Sequence, residues 1–318
     1  MKVFSLLCAL AIGLLSATMV SAQSNGTIID TPQGRDLNGS NFTYPWPLKL
    51  YRFLSQQQQV EMAFMNVAPT CSSPNGKVAV PAARSGSASR RSRVLTSFTL
   101  AQLSANTQSL LQTLKISRAT VVGHSLGGMT SARYVLTFPD TIEVLVLVNP
   151  IGLQNWRALG VPYRDVDALY SSERASNYTS IRAYEQETYY LGEWSRAYDV
   201  WARMLTAIYA GSRGDAFAFD QALTTDMALS QPVVYGFPFL KPRTLLLIGE
   251  KDVTARGKQW SPPGGPGQAG PLGYPGQAGG GAIPNADLIE FPGLGHAPQM
   301  QAPERFHAEL LGWLERNG

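Results

Sequence analysis

Cysteine is nearly absent from this chain of 318 residues, which holds two, Cys8 and Cys71. Cys8 lies in an N-terminal leader, so Cys71 is left alone and the mature monomer can form no internal disulfide. Histidine is scarce too, at three residues, and no paired Cys/His spacing of the metal-binding kind occurs. Charged side chains make up only 15% of the chain, with a formal net charge of +4 and a pI near 9.0. Much of that basicity sits in Arg84 to Arg93 with no aromatics interleaved, so a nucleic-acid face is not expected. Long apolar runs are missing after Val20. Before that point, Lys2, the run Val3 to Val20, and Val20-Ser21-Ala22 ahead of Gln23 make the three parts of a secretory signal peptide, residues 1–22. No later segment is long and apolar enough to cross a membrane, so the expected mature protein is secreted or periplasmic and has no membrane span. Asn-x-Ser/Thr sequons at Asn25, Asn38, Asn41 and Asn177 matter only where the host glycosylates.

What the chain does have is Gly123-His124-Ser125-Leu126-Gly127-Gly128, directly after the β-branched run Ala119-Thr120-Val121-Val122 and ahead of a helix-like segment, Met129 to Phe138. The pattern predicts a strand, a sharp turn with Ser125 at its apex, and a helix, the arrangement of a nucleophile elbow. Glycines flank the serine because a side chain there would strike neighbouring backbone. The helix N-terminus beneath Ser125 favours negative charge developing on a bound acyl group. A G-x-S-x-G turns up by chance in roughly one such chain in four, so the weight rests on its partners, an acid and then a histidine in chain order. The buried-strand pattern Thr244 to Gly249 ends in Glu250-Lys251-Asp252, and the short strand Asp287 to Phe291 leads through Pro292-Gly293-Leu294-Gly295 to His296. Ends of neighbouring parallel strands share the carboxyl edge of a sheet, where the elbow also sits. Ser125 is therefore the candidate nucleophile, His296 the base, and Asp252 the acid that holds its tautomer and steadies the imidazolium, with Glu250 as fallback. Leu126 N–H is the candidate oxyanion donor. His124 fills the variable slot of the elbow, and His307 lies in the helix Pro303 to Asn317, where a solvated or packed role is ordinary.

Around these motifs, Leu48 to Phe53 and Val60 to Ala68 read as strands joined by a glutamine-rich turn, and Lys77 to Val80 as a short third. Leu100 to Leu114 reads as an amphipathic helix with Leu103, Thr107, Leu110, Leu111 and Leu114 on one face, and Ile142 to Val148 as a buried strand. Strands alternating with helices predict an α/β fold with a parallel sheet covered on both faces. The expected division is a first core part over 23–150, a helical cap over 151–240, and a second core part over 241–318. The cap holds nine of the 13 tyrosines and three of the six tryptophans. Trp194, Tyr198 and Trp201 recur there at helical spacing, and with His124 they are the candidate pocket lining, since pockets favour domain junctions and aromatic walls. Asp165, Asp167 and Asp215 read as solvated cap residues, and Glu304 and Arg305 after Pro303 as helix-start chemistry. Two stretches lack periodicity: the Arg/Ser-rich Pro81 to Arg93, and Ser261 to Ala282, which has nine Gly and five Pro and reads as a surface loop.

The elbow, Gly249-x-x-Asp252 and Gly295-His296 together resemble the α/β-hydrolase superfamily, over about Thr99 to Pro150 and from Lys241 to the C-terminus, with a weaker likeness over Tyr44 to Lys77. The resemblance implies an eight-stranded, mostly parallel sheet with a cap after the sixth strand, no cofactor, and attack on an acyl carbon by Ser125. Members that open epoxides or remove halides use an aspartate nucleophile, against which the serine speaks. Some related folds carry the acid after an earlier strand, but Asn149 stands there and cannot serve. The chain departs from the pattern between Val80 and Leu100, where a His-Gly motif, a helix and a fourth strand normally follow the third strand. The second oxyanion donor normally comes from that turn. Pro81 has no N–H, which leaves Ala82 or Ala83, and loss of one donor costs roughly 10²–10³ in rate. The residues of both odd stretches are those of GC-rich coding sequence read out of frame. A deletion, frameshift or mis-spliced gene accounts for them unless no shifted frame restores strand-like or His-Gly sequence. The expected activity is hydrolysis of a small, apolar or aromatic carboxylic ester through an acyl-enzyme. Amide, thioester and carbon–carbon bond hydrolysis use the same triad. A catalytically impaired remnant or non-catalytic binding protein is the reading from another class.

Overall fold

A computed structural model describes residues 26–30, 44, 46–68, 78–82, 98–262 and 283–317. The signal segment, Cys71, the sequons at Asn25, Asn38 and Asn41, the basic run from Arg84, and residues 263–282 of the Gly/Pro-rich stretch lie outside them. Alternation builds the first sheet. In β2 (Lys49–Ser55), Tyr51, Phe53 and Ser55 are buried while Arg52 and Leu54 are exposed, the period of two that puts successive side chains on opposite faces. β1 (Thr27–Asp30), β2 and β3 (Gln58–Phe64) pair antiparallel in that order. The turn between β2 and β3 is Gln56-Gln57, with φ of 48° and 61°. Two left-handed residues suit the twist of a hairpin but are costly for side chains bearing a Cβ.

The second sheet is parallel. β4 (Ala79–Ala82), β5 (Ala119–His124), β6 (Ile142–Val148), β7 (Arg243–Gly249) and β8 (Ala286–Phe291) lie in chain order, with α1 (Leu100–Thr113) and α2 (Leu126–Thr137) among the connections. Side chains of one parity, Val121, Leu145, Leu147 and Leu246, pack with Leu100 and Leu111 of α1 and Met129 and Val135 of α2. Those of the other parity, Val122, Val144, Val146, Val148, Leu245 and Leu247, pack with Phe306, Leu310 and Trp313 of the C-terminal helix. Cover on both faces explains why these strands are nearly continuous in hydrophobic residues. Between β6 and β7 the described residues contain four α-helices, α3 (Val166–Arg174), α4 (Tyr178–Tyr189), α5 (Asp199–Ala210) and α6 (Gly214–Ser230), and no strand. After β8 come α7 (Pro298–Gln301) and α8 (Pro303–Asn317).

The parallel sheet and its helices are as the sequence implied, but the eight strands fall into two sheets rather than one. β3 and β4 belong to different sheets, and no other described strand pairs with the free edge of β4. The strand that the family pattern has next in the chain is the one for which this sequence offers no counterpart. The antiparallel sheet is held instead by α1. Tyr51, Phe53, Met62 and Phe64 pack with Leu110, and the Tyr51 hydroxyl lies 2.6 Å from Ser109 Oγ and accepts from Thr113 Oγ1 at 3.2 Å. Another difference is that α2 begins at Leu126, not Met129. Gly127 and Gly128 are weak helix formers that hide the true start, yet both are buried in the first turn.

The hairpin turn yields a prediction. Replacing the left-handed Gln57 by glycine (Gln57→Gly) raises unfolding stability by roughly 0.5–1 kcal/mol, read from urea denaturation. A decrease would mean that the glutamine side chain contributes more than its backbone geometry costs.

Candidate active site

β5 carries the chain to the carboxyl edge of the parallel sheet, and the backbone turns sharply at Ser125, with φ 56° and ψ −122°. A residue other than glycine held there stores strain, so its surroundings must over-determine it. Ser125 N–H donates to Val148 O at 3.1 Å, and Ser125 O accepts from Gly128 N–H and from Ile151 N–H, each at 3.0 Å. A Cβ on Gly123 would stand 2.5 Å from Gly127 O, and one on Gly128 would stand 2.4 Å from Pro150 Cβ, so both flanks must be glycine. The Ser125 hydroxyl does not cap α2. Leu126, first in that helix, presents an N–H with no intrahelical partner.

Asp252 follows the end of β7 and is buried. Its Oδ2 accepts from Asn149 Nδ2 at 2.7 Å and from His296 Nδ1 at 2.9 Å, and its Oδ1 accepts from Thr254 N–H at 2.8 Å. Burial is the largest influence and works against the charge, but His296, Asn149 and Thr254 together outweigh it and hold the carboxyl down at about 2. An ionised carboxylate only accepts, so His296 Nδ1 carries the proton, and Nε2 of the neutral ring offers a lone pair. That Nε2 is buried and has no hydrogen-bond partner.

The loops bearing acid and histidine are closely joined. A Cβ on Gly249 would lie 2.0 Å from Gly295 O, so only glycine allows the approach. Glu250 N–H donates to Phe291 O, Lys251 N–H to Leu294 O, and Gly295 N–H to Gln301 Oε1. Asn149, at the end of β6 with φ 38°, is fully buried; its Oδ1 accepts from Gly249 N–H at 3.1 Å, and its Nδ2 reaches Gly295 O at 3.4 Å besides Asp252. His124 Nε2 lies 2.8 Å from His296 O, and since a carbonyl only accepts, that nitrogen is the protonated one. Burial first, then the neighbouring His296, pushes His124 down to about 3, so its ring is neutral.

The structure thus gathers Asp252, His296 and His124 at the edge where Ser125 turns. Glu250 is exposed and accepts from Gly293 N–H, so the fallback acid is not beside His296. Between β6 and β7, Tyr198 stacks on Tyr190 with ring centroids 3.8 Å apart, Trp194 meets both rings edge-on, and Trp194 Nε1 donates to Asp199. Trp201 is half-buried on α5. Of the aromatic residues between β6 and β7, Tyr189 lies against His296, with ring centroids 4.9 Å apart. A Cβ on Gly295 would also lie 2.6 Å from Tyr189 O. Tyr189 carried no signal among nine cap tyrosines. Asn149 did stand out, as the position of an alternative acid, but its clamp role depends on contacts that sequence does not show. Among the described residues no group of three His, Cys, Asp or Glu could hold a metal ion, and no helix is long and apolar enough to cross a membrane.

A family model described as the alpha/beta hydrolase family matches residues 67–309. This chain belongs to that family. Like its relatives in the alpha/beta hydrolase family, it is an enzyme of the hydrolase class. It is 40% identical to a probable hydrolytic enzyme from Pseudomonas aeruginosa PAO1, with a TM-score of 0.79 over 85% of this chain and 95% of that one. An esterase from Exiguobacterium antarcticum shares the fold at 19% identity and a TM-score of 0.53, over 69% of this chain and 75% of that one. A putative carbamate hydrolase, RutD of Serratia proteamaculans (strain 568), is 24% identical over 234 residues, 72% of this chain and 78% of that protein. The chain spans only 10% and 26% of two other curated relatives it matches.

Two predictions follow from the clamp. Asn149→Ala leaves Gly249 N–H unpaired and Asp252 with one donor fewer, both buried, and lowers stability by about 2–4 kcal/mol in denaturant unfolding. A loss under about 0.5 kcal/mol would mean that water takes over the amide's bonds. His124 has a folded-state pKa depressed to about 3 from 6.5, so between those values the unfolded chain binds more protons than the folded one. Its contribution to stability is complete above pH 6.5 and is lost progressively as pH falls toward 3. Melting temperature therefore falls less steeply on acidification in His124→Gln than in the wild type, and parallel curves would refute the assignment.

Proposed function

We propose that the protein is an exported serine hydrolase that cleaves a small carboxylic ester through an acyl-enzyme. Ser125 Oγ attacks the ester carbonyl as its proton passes to His296 Nε2, and the alcohol departs with that proton. Water then gives a proton to the same nitrogen, attacks the acyl group, and releases the acid while Ser125 recovers its hydroxyl. Asp252 keeps His296 Nδ1 protonated and steadies the imidazolium, and Leu126 N–H meets the developing oxyanion. One observation carries the reading: His296 Nε2 is buried and unpartnered, its other nitrogen is committed to an ionised Asp252, and its carbonyl is bonded to the residue just before Ser125. An ester asks less than an amide of an oxyanion site with one identified donor, because an alkoxide leaves more readily than an amine.

The anomalous segment favours a second reading, a chain of this fold that is catalytically impaired. Ala82, the last residue of β4, is in register with Gly123, so the chain leaves β4 beside the elbow, where a second oxyanion donor is needed. Reaction of the mature protein with a fluorophosphonate, followed by intact mass, separates the two. The expected result is one label per chain and turnover of 4-nitrophenyl butyrate, both abolished in Ser125→Ala, with kcat lower by roughly 10⁴–10⁶. A folded wild-type protein that takes no label would overturn the ester hydrolase in favour of the impaired chain.

A further inference from the structure

One buried acid in the cap has no part in the chemistry described so far. Glu185 lies on α4, and its side chain is on the buried stripe of that helix with Ile181. Only 9% of the residue is exposed, and its Oε2 is buried without a hydrogen-bond partner. Among the described residues no ion pair reaches it. Burial alone pushes its carboxyl up to about 7. Burying an unpaired carboxyl costs folding free energy that a leucine or methionine at the same place would not. Such a group calls for a partner.

Its place on the helix says where that partner would lie. Residues four apart on an α-helix stand one above the other, about 5.4 Å along the axis. Four residues after Glu185 comes Tyr189, whose ring rests against His296 and whose carbonyl presses on Gly295. Glu185 is therefore one helical turn from the residue that touches the candidate base. A carboxyl in its acid form offers one O–H donor together with acceptor oxygens. A hydroxyl group is the smallest substituent that satisfies both at once. An ammonium group would instead require the ionised form, which burial opposes.

We infer that Glu185 is a specificity-determining residue, making a hydrogen bond to a hydroxyl group on the acyl or alcohol part of the substrate. This deepens the ester-hydrolase reading and rests on it for the position of Ser125 and His296. Substrate free of such a group leaves the buried carboxyl unpaired, so the discrimination falls on the isostere that lacks the hydroxyl.

The test uses two pairs of esters, methyl 3-hydroxybutanoate against methyl butanoate for the acyl side, and 2-hydroxyethyl butanoate against propyl butanoate for the alcohol side. In the wild type, kcat/KM favours the hydroxylated member of one pair by about tenfold or more. That ratio falls close to one in Glu185→Leu and is largely kept in Glu185→Gln, whose amide also donates and accepts. Glu185→Leu also melts at a higher temperature than the wild type, as removal of an unpaired buried carboxyl requires. Dissociation constants of the same esters for Ser125→Ala and for Ser125→Ala/Glu185→Leu repeat the comparison without turnover. No preference in either pair, a preference that survives Glu185→Leu, or selection of a trimethylammonium-bearing ester over the hydroxylated one overturns the inference. Selective binding without turnover by the wild type would instead sink the ester-hydrolase reading and leave the assignment of Glu185 standing.

Discussion

Three donors meet on the carboxylate of Asp252, and the rest of the site is arranged around them. Asn149 comes from the end of β6, Thr254 from the loop after β7, and His296 from the loop after β8. One buried charge thus ties together three neighbouring strand ends. A buried carboxylate survives only when such bonds replace water, and here they hold it ionised against the pull of burial. The proton on His296 Nδ1 is a consequence of that charge, and the open lone pair on Nε2 is a consequence of that proton. His124 then fixes the same histidine from its backbone side, and so links it to the turn that presents Ser125.

Much of this was legible in the sequence because it depends on local chemistry. The β-branched run before Ser125 and the glycines around it declare a strand and a turn that admits no side chains. Asp252 and His296 were placed because each follows a buried-strand pattern by a few residues. What stayed hidden depends on distance in space. Asn149 could be recognised as a strand-end residue but not as a clamp, since its partners are at 249, 252 and 295. The start of α2 was obscured by Gly127-Gly128, which are chosen for clearance and not for helix propensity. In the cap, periodicity pointed to Trp194, Tyr198 and Trp201, whereas the ring against His296 belongs to Tyr189 at the end of a different helix. Aromatic spacing identifies a buried face but not what the face meets.

The last two turns of α4 carry two different features. Tyr189 offers a ring to His296 and a carbonyl to Gly295, so the last turn of α4 fits against the histidine loop only because residue 295 lacks a Cβ. Glu185, one turn away, supplies the only strongly unsatisfied acid on that helix stripe. The same short stretch of α4 thus combines tight packing with a buried oxygen that has no protein partner, a combination that natural cores seldom contain.

The division of the strands into two sheets bears on how the chain comes apart. The parallel strands share one continuous ladder from β4 to β8, so their amides are protected by each other. The three antiparallel strands have no ladder to that sheet and are held through Tyr51, Ser55 and Leu110 to α1. Among the described residues the hairpin docks through that one helix, so an opening there would expose its amides while leaving the parallel ladder paired.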